Sequence, residues 1–311
     1  MNLIQPDYSR ESTINLAIPD TCSGLRLDRA LVQLIDNFSR SRMARWIKSE
    51  RVHVNGKPAS PSQKVWAGDH IRVEPEFEVA TEEPAPIALD IVHEDAAILV
   101  LNKPPGLVVH PGAGNRGNTL LNALLHHSRA LAAVPRAGIV HRLDKDTSGL
   151  LAIAKTLSAH ANLVGQLKTR TMTREYIAIV HGRLPASGTV EAAIGRHPAR
   201  RTQMSVVASG KPAATNFKTI ERFGDATLAK VTLATGRTHQ IRVHMQSIGH
   251  PIIGDRVYGL RRGGRKVTFS RQALHAARLQ FAHPSDEVEV SFTAELPADM
   301  QALLQELRAR A

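Results

Sequence analysis

Two scarcities in the 311-residue sequence limit what kind of protein it encodes: it has one cysteine and no long apolar run. The single cysteine, Cys22, excludes an intramolecular disulfide and a cluster of thiolate metal ligands. No stretch approaches the roughly 18 apolar residues that a transmembrane helix needs. The N-terminus also lacks the basic and apolar regions of a signal peptide. We therefore expect a cytoplasmic protein.

Motifs for metals and nucleotide cofactors are missing as well. The histidines include no HExxH pair, and His239 and His244 would lie on different faces of a helix. Neither GxxxxGK[ST] nor GxGxxG occurs, so a bound nucleotide cofactor is not expected. The sequence thus predicts neither a metal ion nor a cofactor.

The net charge of +12 is distributed unevenly along the chain. Residues 1–72 carry a net charge of +4, residues 73–102 carry −8 with no lysine or arginine, and residues 103–311 carry +16. Solubility alone does not readily explain such an excess in the C-terminal part. A basic excess concentrated in one part of a chain is typical of proteins that bind a polyanion.

The acidic stretch also marks a predicted boundary between two folding units, in keeping with the roughly two domains that the length suggests. Its sequence PEFEVATEEPAPIAL combines proline, glutamate and alanine without periodicity, which is typical of an extended linker. We predict an N-terminal extension over residues 1–20, a small domain over 21–75, a linker over 76–87 and a large domain over 88–311.

The predicted small domain combines two helices with a hairpin. Leucines at helical spacing predict the first helix, and SRMARWIKSE predicts a second, amphipathic one. The stretch RVHVNGKPA contains the Asn-Gly pair of a tight hairpin turn. Three cations share one side of the second helix: Arg42, Arg45 and Lys48. A solvated helix face would explain these cations too, but the order of the parts resembles the S4 RNA-binding domain. That resemblance implies that they bind structured RNA.

Strands dominate the predicted large domain and are joined irregularly. REYIAIVHGRL, ATNFKTIERF and ATLAKVTLATG alternate as strands with one polar face. TLLNALLHH and PADMQALLQELRARA are predicted helices, and HQIRVHMQSI is a third, predicted to begin after a Thr238 cap and to stop at Gly249. This mixture predicts an α+β fold with a mixed, mainly antiparallel sheet rather than a regular βαβ array.

One acidic residue, Asp144, lies among cations and between apolar runs in the stretch HRLDKDTSGL. This setting suits a nucleophilic carboxylate, because a neighbouring arginine keeps it ionised and oriented. A structural salt bridge would produce the same composition, and spacing alone does not decide between the two. A glycosidase pair of Asp144 and Asp146 has little support: residues two apart diverge on a helix, and nothing marks either as a raised-pKa acid.

Three stretches resemble the RluA/RluD family of RNA pseudouridine synthases: VLNKPPGLVVHPG at 100–112, GIVHRLDKDTSGLLAIAK at 138–155 and ATGRTHQIRVHM at 234–245. They occur in that family's order, and HRLDxxTSG is highly specific to it. With an S4-like domain in front, the sequence is most similar to the RluC and RluD branch, which acts on large-subunit ribosomal RNA. The resemblance implies an isomerase that converts uridine to pseudouridine in that RNA or in a pre-ribosomal particle, without metal or cofactor.

The same resemblance assigns roles to individual residues. It implies that Asp144 is the catalytic carboxylate and that Arg242 pairs with it. Tyr176 would stack on the extruded base, and Arg142 would fill the gap that the base leaves. Three further residues are expected at the rim of the site: Lys103, His110 and Arg237. Taken alone, Tyr176 would pass for a core aromatic of a strand and Arg242 for a surface cation on RNA phosphate.

A second class of function remains open at this point. A non-catalytic RNA-binding or ribosome-assembly protein would use the same basic surface and the S4-like domain, but it would not need Asp144. Release of tritium from RNA labelled at uracil C5 separates the two, because that hydrogen leaves only when uridine is isomerised. Nothing in the sequence implies an oligomer or a membrane partner.

Overall fold

The computed structural model describes residues 13–35, 40–75, 83–112, 115, 117–200, 202–260, 267 and 269–310. Within these ranges a four-stranded sheet and a nine-stranded sheet have separate hydrophobic cores, the first before residue 76 and the second after residue 82. No helix in the same ranges is long and apolar enough to cross a membrane. The fold is α+β, as predicted.

The first unit combines two helices with a small antiparallel sheet. Its elements are β1 (Ile14–Ala17), α1 (Leu27–Leu34), α2 (Arg40–Lys48), β2 (Val52–Val54), β3 (Lys57–Pro58) and β4 (His70–Val73). The strand order is β1-β4-β2-β3. Every residue of β1 is paired with β4, so residues 14–17, which precede the boundary predicted at residue 21, belong to the sheet of this unit. The predicted hairpin turn is confirmed at Asn55 and Gly56, which both have a positive φ.

The second unit is built on a mixed, mainly antiparallel sheet of nine strands. The strands are β5 (Ile91–Glu94), β6 (Ile98–Lys103), β7 (Ser148–Ala154), β8 (Thr173–His181), β9 (Ser187–Glu191), β12 (Ala214–Phe223), β13 (Ala226–Leu233), β14 (Leu274–Ala282) and β15 (Glu289–Thr293). Their order is β5-β6-β7-β14-β8-β13-β12-β9, and β15 pairs with β14. The pairing of β7 with β14 is parallel. A separate hairpin is formed by β10 (Ile194–Arg196) and β11 (Met204–Val206).

The middle of the large sheet is buried on both faces, which explains the unbroken apolar runs in β6 and β7. Leu99 and Leu101 of β6 pack into one core cluster, whereas their neighbours Ile98 and Val100 pack into another on the opposite face. All seven residues of β7 are buried. A strand covered on both faces needs apolar residues at consecutive positions instead of at alternate ones.

Four helices accompany the sheet: α3 (Leu120–His127), α4 (Leu157–Thr169), α5 (Gln240–Ser247) and α6 (Ala298–Ala309). Three of them were predicted, but α4 was not. The predicted Thr238 cap of α5 is wrong: the N-cap is His239, whose φ of 57° places it in the left-handed region. The predicted stop is confirmed at Gly249, which follows the helix with a φ of +82°.

The last part of the predicted linker is fixed to the second unit. The side-chain amide of Asn122 on α3 donates a hydrogen bond to the Glu83 carbonyl at 2.7 Å. The backbone carbonyl of Asn122 accepts one from the Ala85 N–H at 3.0 Å. The same Asn122 side chain accepts from the backbone N–H of Thr119 and completes a capping box at the start of α3. Residues 76–82 of the predicted linker and residues 1–12 of the predicted extension lie outside the described ranges.

Candidate active site

The turn that carries Asp144 is attached to the sheet by the three residues at its C-terminal end. Gln272 donates a hydrogen bond to the Thr147 hydroxyl at 3.2 Å, and the Ser148 hydroxyl contacts Nδ1 of His275 at 2.9 Å. Gly149 has a φ of +111°, and a Cβ there would lie 2.3 Å from the Ala276 carbonyl oxygen. The sequence TSG therefore holds the turn against the sheet. Position 149 requires glycine, because both its positive φ and its close contact with the Ala276 carbonyl exclude a side chain.

Two buried cations hold the carbonyls inside this turn. The Lys103 ammonium donates to the carbonyl of Lys145 at 3.0 Å, and also to those of Pro104 at 2.7 Å and Leu107 at 3.0 Å. Arg271 donates to the Asp146 carbonyl at 3.0 Å. Burial lowers the pKa of Lys103 to about 7, and the charges of nearby carboxylates oppose that shift. The placement of Lys103 at the rim is therefore wrong: it lies beneath the turn, 1% exposed.

The Asp144 carboxylate is aimed by a single arginine. Nη1 of Arg242 donates to Oδ2 of Asp144 at 2.8 Å, as the resemblance implies. The remaining edge of the same guanidinium is bound to a second carboxylate, Asp255, with Nε to Oδ2 at 2.7 Å and Nη2 to Oδ1 at 3.0 Å. The Asp144 side chain is partly exposed and that of Asp255 is fully buried. One arginine thus connects an accessible carboxylate to a buried one.

Asp255 is anchored by its own loop. Its Oδ1 also accepts from the backbone N–H groups of Val257 at 2.8 Å and Tyr258 at 2.9 Å. Burial raises the pKa of Asp255, but the hydrogen bonds and charge of Arg242 outweigh that effect and lower the pKa below its usual value. A Cβ on Gly254 would lie 1.9 Å from the Arg271 carbonyl, and one on Gly259 would lie 2.2 Å from the Asp255 carbonyl. The stretch GDRVYG therefore depends on both glycines for its close packing.

A second pair of residues flanks the carboxylate. The Tyr258 hydroxyl accepts from the Met204 N–H at 2.8 Å and contacts Nδ1 of His239, also at 2.8 Å. Nε2 of His239 lies 3.9 Å from Oδ1 of Asp144. Burial lowers the pKa of His239, so the neutral ring prevails at neutral pH. If Tyr258 donates its proton to Nδ1, the ring N–H is on Nε2 and faces the Asp144 carboxylate, at a distance longer than a hydrogen bond.

These groups open into a cavity of about 430 Å³. A volume of this size falls within the range of roughly 300–1,000 Å³ that is typical of ligand pockets. Asp144 and Tyr176 line it together with six cations: Arg136, Arg142, Lys168, Arg174, Arg237 and Arg242. Among the described residues, no group of three or more histidine, cysteine, aspartate or glutamate side chains is placed to hold a metal ion. The cavity is therefore a cationic cleft with one accessible carboxylate aimed by Arg242.

Comparison with known proteins identifies the family of the chain. Residues 97–247 match the sequence profile of a family described as RNA pseudouridylate synthase, and residues 25–71 match the S4 domain. The ribosomal large subunit pseudouridine synthase D of Nitrosomonas europaea is 50% identical over 96% of this chain and 89% of that protein. The chain belongs to the RNA pseudouridylate synthase family. It is accordingly an enzyme of the isomerase class.

Further relatives agree with this assignment. The ribosomal large subunit pseudouridine synthase D of Escherichia coli strain K12 is 49% identical over 92% of this chain and 91% of its own. Among solved structures, human RNA pseudouridylate synthase domain containing 1 superimposes with a TM-score of 0.56 and is 28% identical. That similarity covers 74% of this chain and 98% of the human one.

The structure brings most of the expected site residues of this pseudouridine synthase into one cavity. Tyr176 lies on β8, 5% exposed, between Val231 of β13 and Ala276 of β14. Arg142 is exposed at the cavity wall. Arg237 also lines the cavity, with its Nε donating to the Pro212 carbonyl at 3.2 Å.

His110 lies deeper than its expected place at the rim. Its Nε2 is buried without a hydrogen-bond partner in the described part of the chain. Burial, helped by the charges of Arg136 and Arg142, lowers the pKa of His110 to about 4. The ring is therefore neutral at physiological pH and can offer a hydrogen bond to a ligand in the cavity.

Sequence reasoning missed Asp255, Tyr258, Arg174 and the placement of His239. The signal for the first two was present in GDRVYG, where two glycines bracket an aspartate and a tyrosine. The stretch does not predict which cation Asp255 binds, because Arg242 lies on another element, α5. Arg174 had a signal only in its position two residues before Tyr176, which places both side chains on one face of β8.

The first unit, which contains the match to the S4 domain, presents part of the predicted cationic face of α2. On α2, Met43, Trp46 and Ile47 are buried in the core of the unit, whereas Arg45 and Lys48 are exposed. This division matches the predicted amphipathic helix. Arg42 also belongs to α2, but its side chain lies outside the described part of the structure.

Proposed function

We propose that this enzyme converts uridines of large-subunit ribosomal RNA to pseudouridine, with Asp144 as its catalytic carboxylate. The substrate class is supported by relatives of 49–50% identity that are named ribosomal large subunit pseudouridine synthase D. It is also supported by the S4 domain and by the +16 net charge of residues 103–311. The substrate is free ribosomal RNA or a pre-ribosomal particle, and the compartment is the cytoplasm.

The contact between Asp144 and Arg242 carries the proposal for the catalytic residue. The reaction breaks the bond between N1 of uracil and C1′ of ribose, turns the uracil, and joins its C5 to C1′, after which C5 loses its proton. The carboxylate acts either by adding to C1′ or by removing a sugar proton, and both routes need it ionised and aimed. Arg242 supplies a positive partner and fixes one carboxylate oxygen, because its Nη1 donates a hydrogen bond to Oδ2 of Asp144 at 2.8 Å.

Tyr176 and Arg142 are suited to handle the base. A uridine in a structured RNA must leave its stack before its glycosidic bond can be reached. Tyr176 lines the cavity beside Asp144 and presents a ring on which the extruded uracil can stack. Arg142 is exposed two residues from Asp144, where it can occupy the space that the base leaves in the RNA. Arg237 and His110 would contribute contacts at the wall of the same cavity.

The chemistry itself requires no cofactor. Both bonding electrons of the broken glycosidic bond return to a bond between the same two fragments, so the isomerisation involves no net oxidation or reduction. No group is transferred to water or to phosphate either, so that no nucleotide needs to be consumed. We therefore propose that the enzyme works without metal ion or cofactor and that its own side chains supply the acid, base and binding groups.

The two units would divide the work. We propose an RNA-binding domain that includes residues 21–75 and a catalytic domain over 88–311, with Arg42, Arg45 and Lys48 of α2 binding RNA backbone. Phosphate contacts of this kind add affinity and register without reading bases. Two separate hydrophobic cores support this division.

Tritium release tests the proposal directly. Large-subunit ribosomal RNA labelled at C5 of uracil should release tritium with the native enzyme and none above background with Asp144→Asn, which keeps the shape but removes the charge. Asp286→Asn is a matched control, since that carboxylate is 61% exposed on a turn. RNA affinity of Asp144→Asn should stay close to that of the native enzyme. An active Asp144→Asn preparation would refute the catalytic assignment, and a native enzyme that binds this RNA without releasing tritium would refute the substrate.

A genetic experiment locates the target uridines. Pseudouridine in large-subunit ribosomal RNA is mapped in a strain that lacks the protein and in the same strain complemented with the native gene or the Asp144→Asn gene. We expect specific pseudouridines to disappear in the first strain and to return only with the native gene. Complementation by Asp144→Asn would show that the protein acts as a binding or assembly factor instead.

A further inference from the structure

Arg174 is a buried arginine for which the described part of the protein supplies no counter-ion. Its residue is 8% exposed, and its Nε is buried without a hydrogen-bond partner. The described residues provide no carboxylate and no carbonyl that accepts a hydrogen bond from its guanidinium. The other buried arginines of the domain differ: Arg242 binds two carboxylates, and Arg271 binds Asp299 at 2.7 and 2.9 Å.

Arg174 lies inside the cavity that contains the proposed catalytic residues. It lines the same cavity as Asp144 and Tyr176, and it shares the inward face of β8 with Tyr176. The backbone at Gly236 packs directly on the guanidinium, since a Cβ there would lie 2.8 Å from Nη1. Arg174 is thus enclosed within the active-site cavity, whereas the cavity cations Arg136, Arg142 and Lys168 are exposed.

An unpaired buried charge destabilises a fold, because the lost hydration is not replaced by a partner. Such a group persists where its partner arrives with the substrate. Within an RNA nucleotide the uracil and the ribose are neutral, and the phosphodiester carries the full negative charge. A guanidinium offers a planar fork of donors that matches phosphate oxygens.

We propose that Arg174 binds a phosphate that flanks the target uridine, and so fixes the extruded nucleotide at the level of its backbone while Tyr176 receives its base. This inference rests on the proposed function in one respect, namely that the ligand is a uridine nucleotide of an RNA. It assigns to Arg174 a substrate contact that is separate from those of Asp144, Arg242 and Arg142. A phosphate held at this depth would enter the cavity only with an extruded nucleotide.

Small ligands provide the first test. The affinities of uridine, uridine 5′-monophosphate and uridine 3′-monophosphate are measured for the native enzyme, Arg174→Gln and Arg174→Lys. The native enzyme should bind one monophosphate roughly 10- to 100-fold more tightly than uridine, the range of a charge-assisted hydrogen bond. Arg174→Gln should abolish that preference and leave uridine binding unchanged, and Arg174→Lys should keep part of it. A native enzyme without the preference, or an Arg174→Gln enzyme that keeps it, overturns the proposal.

Two controls separate a specific contact from a general loss of charge. Arg183→Gln removes an exposed arginine that does not line the cavity, so the preference for the monophosphate should persist. Gly236→Ala retains the Arg174 charge but forces the guanidinium to shift, so the preference should weaken. Equal loss of uridine and monophosphate binding in Arg174→Gln would show that Arg174 contacts the neutral base, and would overturn the proposal.

Thermal unfolding gives a readout that a structural arginine would not produce. Because Arg174 is buried without a partner among the described residues, Arg174→Gln should keep or raise the Tm. Addition of the preferred monophosphate should raise the Tm of the native enzyme more than that of Arg174→Gln. A clear fall of Tm in ligand-free Arg174→Gln would show that the arginine supports the fold, and would count against the phosphate site.

The full substrate provides the last test. In an RNA fragment around a mapped target uridine, each flanking phosphate is replaced in turn by a neutral methylphosphonate. At one position the replacement should lower kcat/KM of the native enzyme as much as Arg174→Gln does, and the two changes together should cost no more than either alone. Fully additive losses at both positions overturn the proposal. If ribosomal RNA is not the substrate, this arm fails for the native enzyme, whereas the monophosphate preference persists.

Discussion

Asp255 binds Arg242 through two hydrogen bonds, at 2.7 Å to Nε and 3.0 Å to Nη2, and so leaves Nη1 to face the reaction cavity. A guanidinium held along one edge has no freedom to rotate about its own axis. Its remaining donor therefore has a fixed direction, and Asp144 lies 2.8 Å along it. The buried carboxylate also offsets the charge of the arginine. If Asp144 is the catalytic carboxylate, as proposed, Asp255 is a positioning residue that acts on it through Arg242.

The first prediction concerns that positioning. Asp255→Asn should lower kcat by roughly 10²-fold, because Arg242 would lose its fixed edge and a misplacement of about 1 Å can cost that much. KM for RNA should change little. Breaking a buried ion pair should also cost about 3 kcal/mol of the free energy of unfolding. Steady-state kinetics and chemical unfolding measure both effects.

Glu221→Gln is the control for this experiment. It breaks an exposed ion pair with Arg308, at 2.7 Å, so it should leave both the stability and kcat nearly unchanged. A native kcat in folded Asp255→Asn would show that Arg242 keeps its direction towards Asp144 without the Asp255 carboxylate, and would contradict the positioning role.

The second prediction concerns the support beneath the catalytic turn. Lys103→Met keeps the apolar stem but removes the donor to three partly buried carbonyls, at a cost of about 0.5–1.5 kcal/mol for each hydrogen bond lost. The Tm should fall, and kcat should fall roughly tenfold or more because the Lys145 carbonyl lies next to Asp144. Affinity for RNA should be largely retained. Lys218→Met removes an exposed lysine on β12 and should be neutral in both measurements. Unchanged Tm and kcat in Lys103→Met would contradict the supporting contacts.

How well the sequence predicts a feature depends on how far apart in the sequence the interacting residues are. Local patterns predict the Asn55-Gly56 turn, α3 and α6 correctly, because turn chemistry and helical periodicity are properties of neighbouring residues. The pairing of Asp144 with Arg242 joins residues 98 positions apart and was expected only from the resemblance to a family.

Other features of the fold could not be read from local patterns. The strand β7 lacks alternation because both of its faces are buried, so its apolar run alone does not distinguish a strand from a helix. The helix α4 was missed, as its mixture of alanine, glycine and asparagine gives a weak apolar stripe. Packing alone determines that Arg174 has no partner among the described residues and that Arg242 binds a second carboxylate. Neither feature can be predicted from composition or from the spacing of residues in the sequence.

The third prediction concerns stability in acid. Asp95 accepts hydrogen bonds from the backbone N–H groups of Ala97 and Ile98, and contacts the ring nitrogens of His93 and His283. Burial raises the pKa of Asp95, but these hydrogen bonds outweigh it and hold the pKa well below its usual value. A depressed carboxyl pKa contributes stability that is fully present above the unfolded value of about 3.9 and is lost progressively as the pH falls from there through the lower folded value.

Asp95→Asn should accordingly lower the Tm by a few degrees at pH 7, and the difference from the native enzyme should shrink between about pH 5 and pH 3. Asp286→Asn, on an exposed carboxylate, should shift the Tm little at either pH. Thermal unfolding at a series of pH values measures both variants. A difference for Asp95→Asn that stays constant down to pH 3 would show that this carboxylate does not contribute through its charge.

The last prediction separates RNA binding from chemistry. Residues 13–73 form a sheet and a core of their own, and the described linker residues Glu83 and Ala85 are bound to α3 of the catalytic unit. Removal of residues 1–75 should therefore leave a folded catalytic unit with its anchored segment intact. At saturating RNA the truncated enzyme should keep a kcat near the native value, whereas KM for large structured RNA should rise. The slope of log affinity against log salt should become shallower, because each lost phosphate contact removes roughly 0.7–0.9 from it.

A double variant tests whether the α2 face accounts for that loss. Arg45→Ala with Lys48→Ala should reproduce part of the rise in KM without lowering kcat, since phosphate contacts position the RNA and do not act on the glycosidic bond. Lys57→Ala with Lys64→Ala removes the same charge from exposed sites of the same unit outside α2, and should have a smaller effect. Initial rates against RNA concentration compare the four proteins. If the folded truncation is inactive at saturating RNA, the first unit takes part in the chemistry; if the two double variants behave alike, RNA binding depends on overall charge and the α2 face has no special part in it.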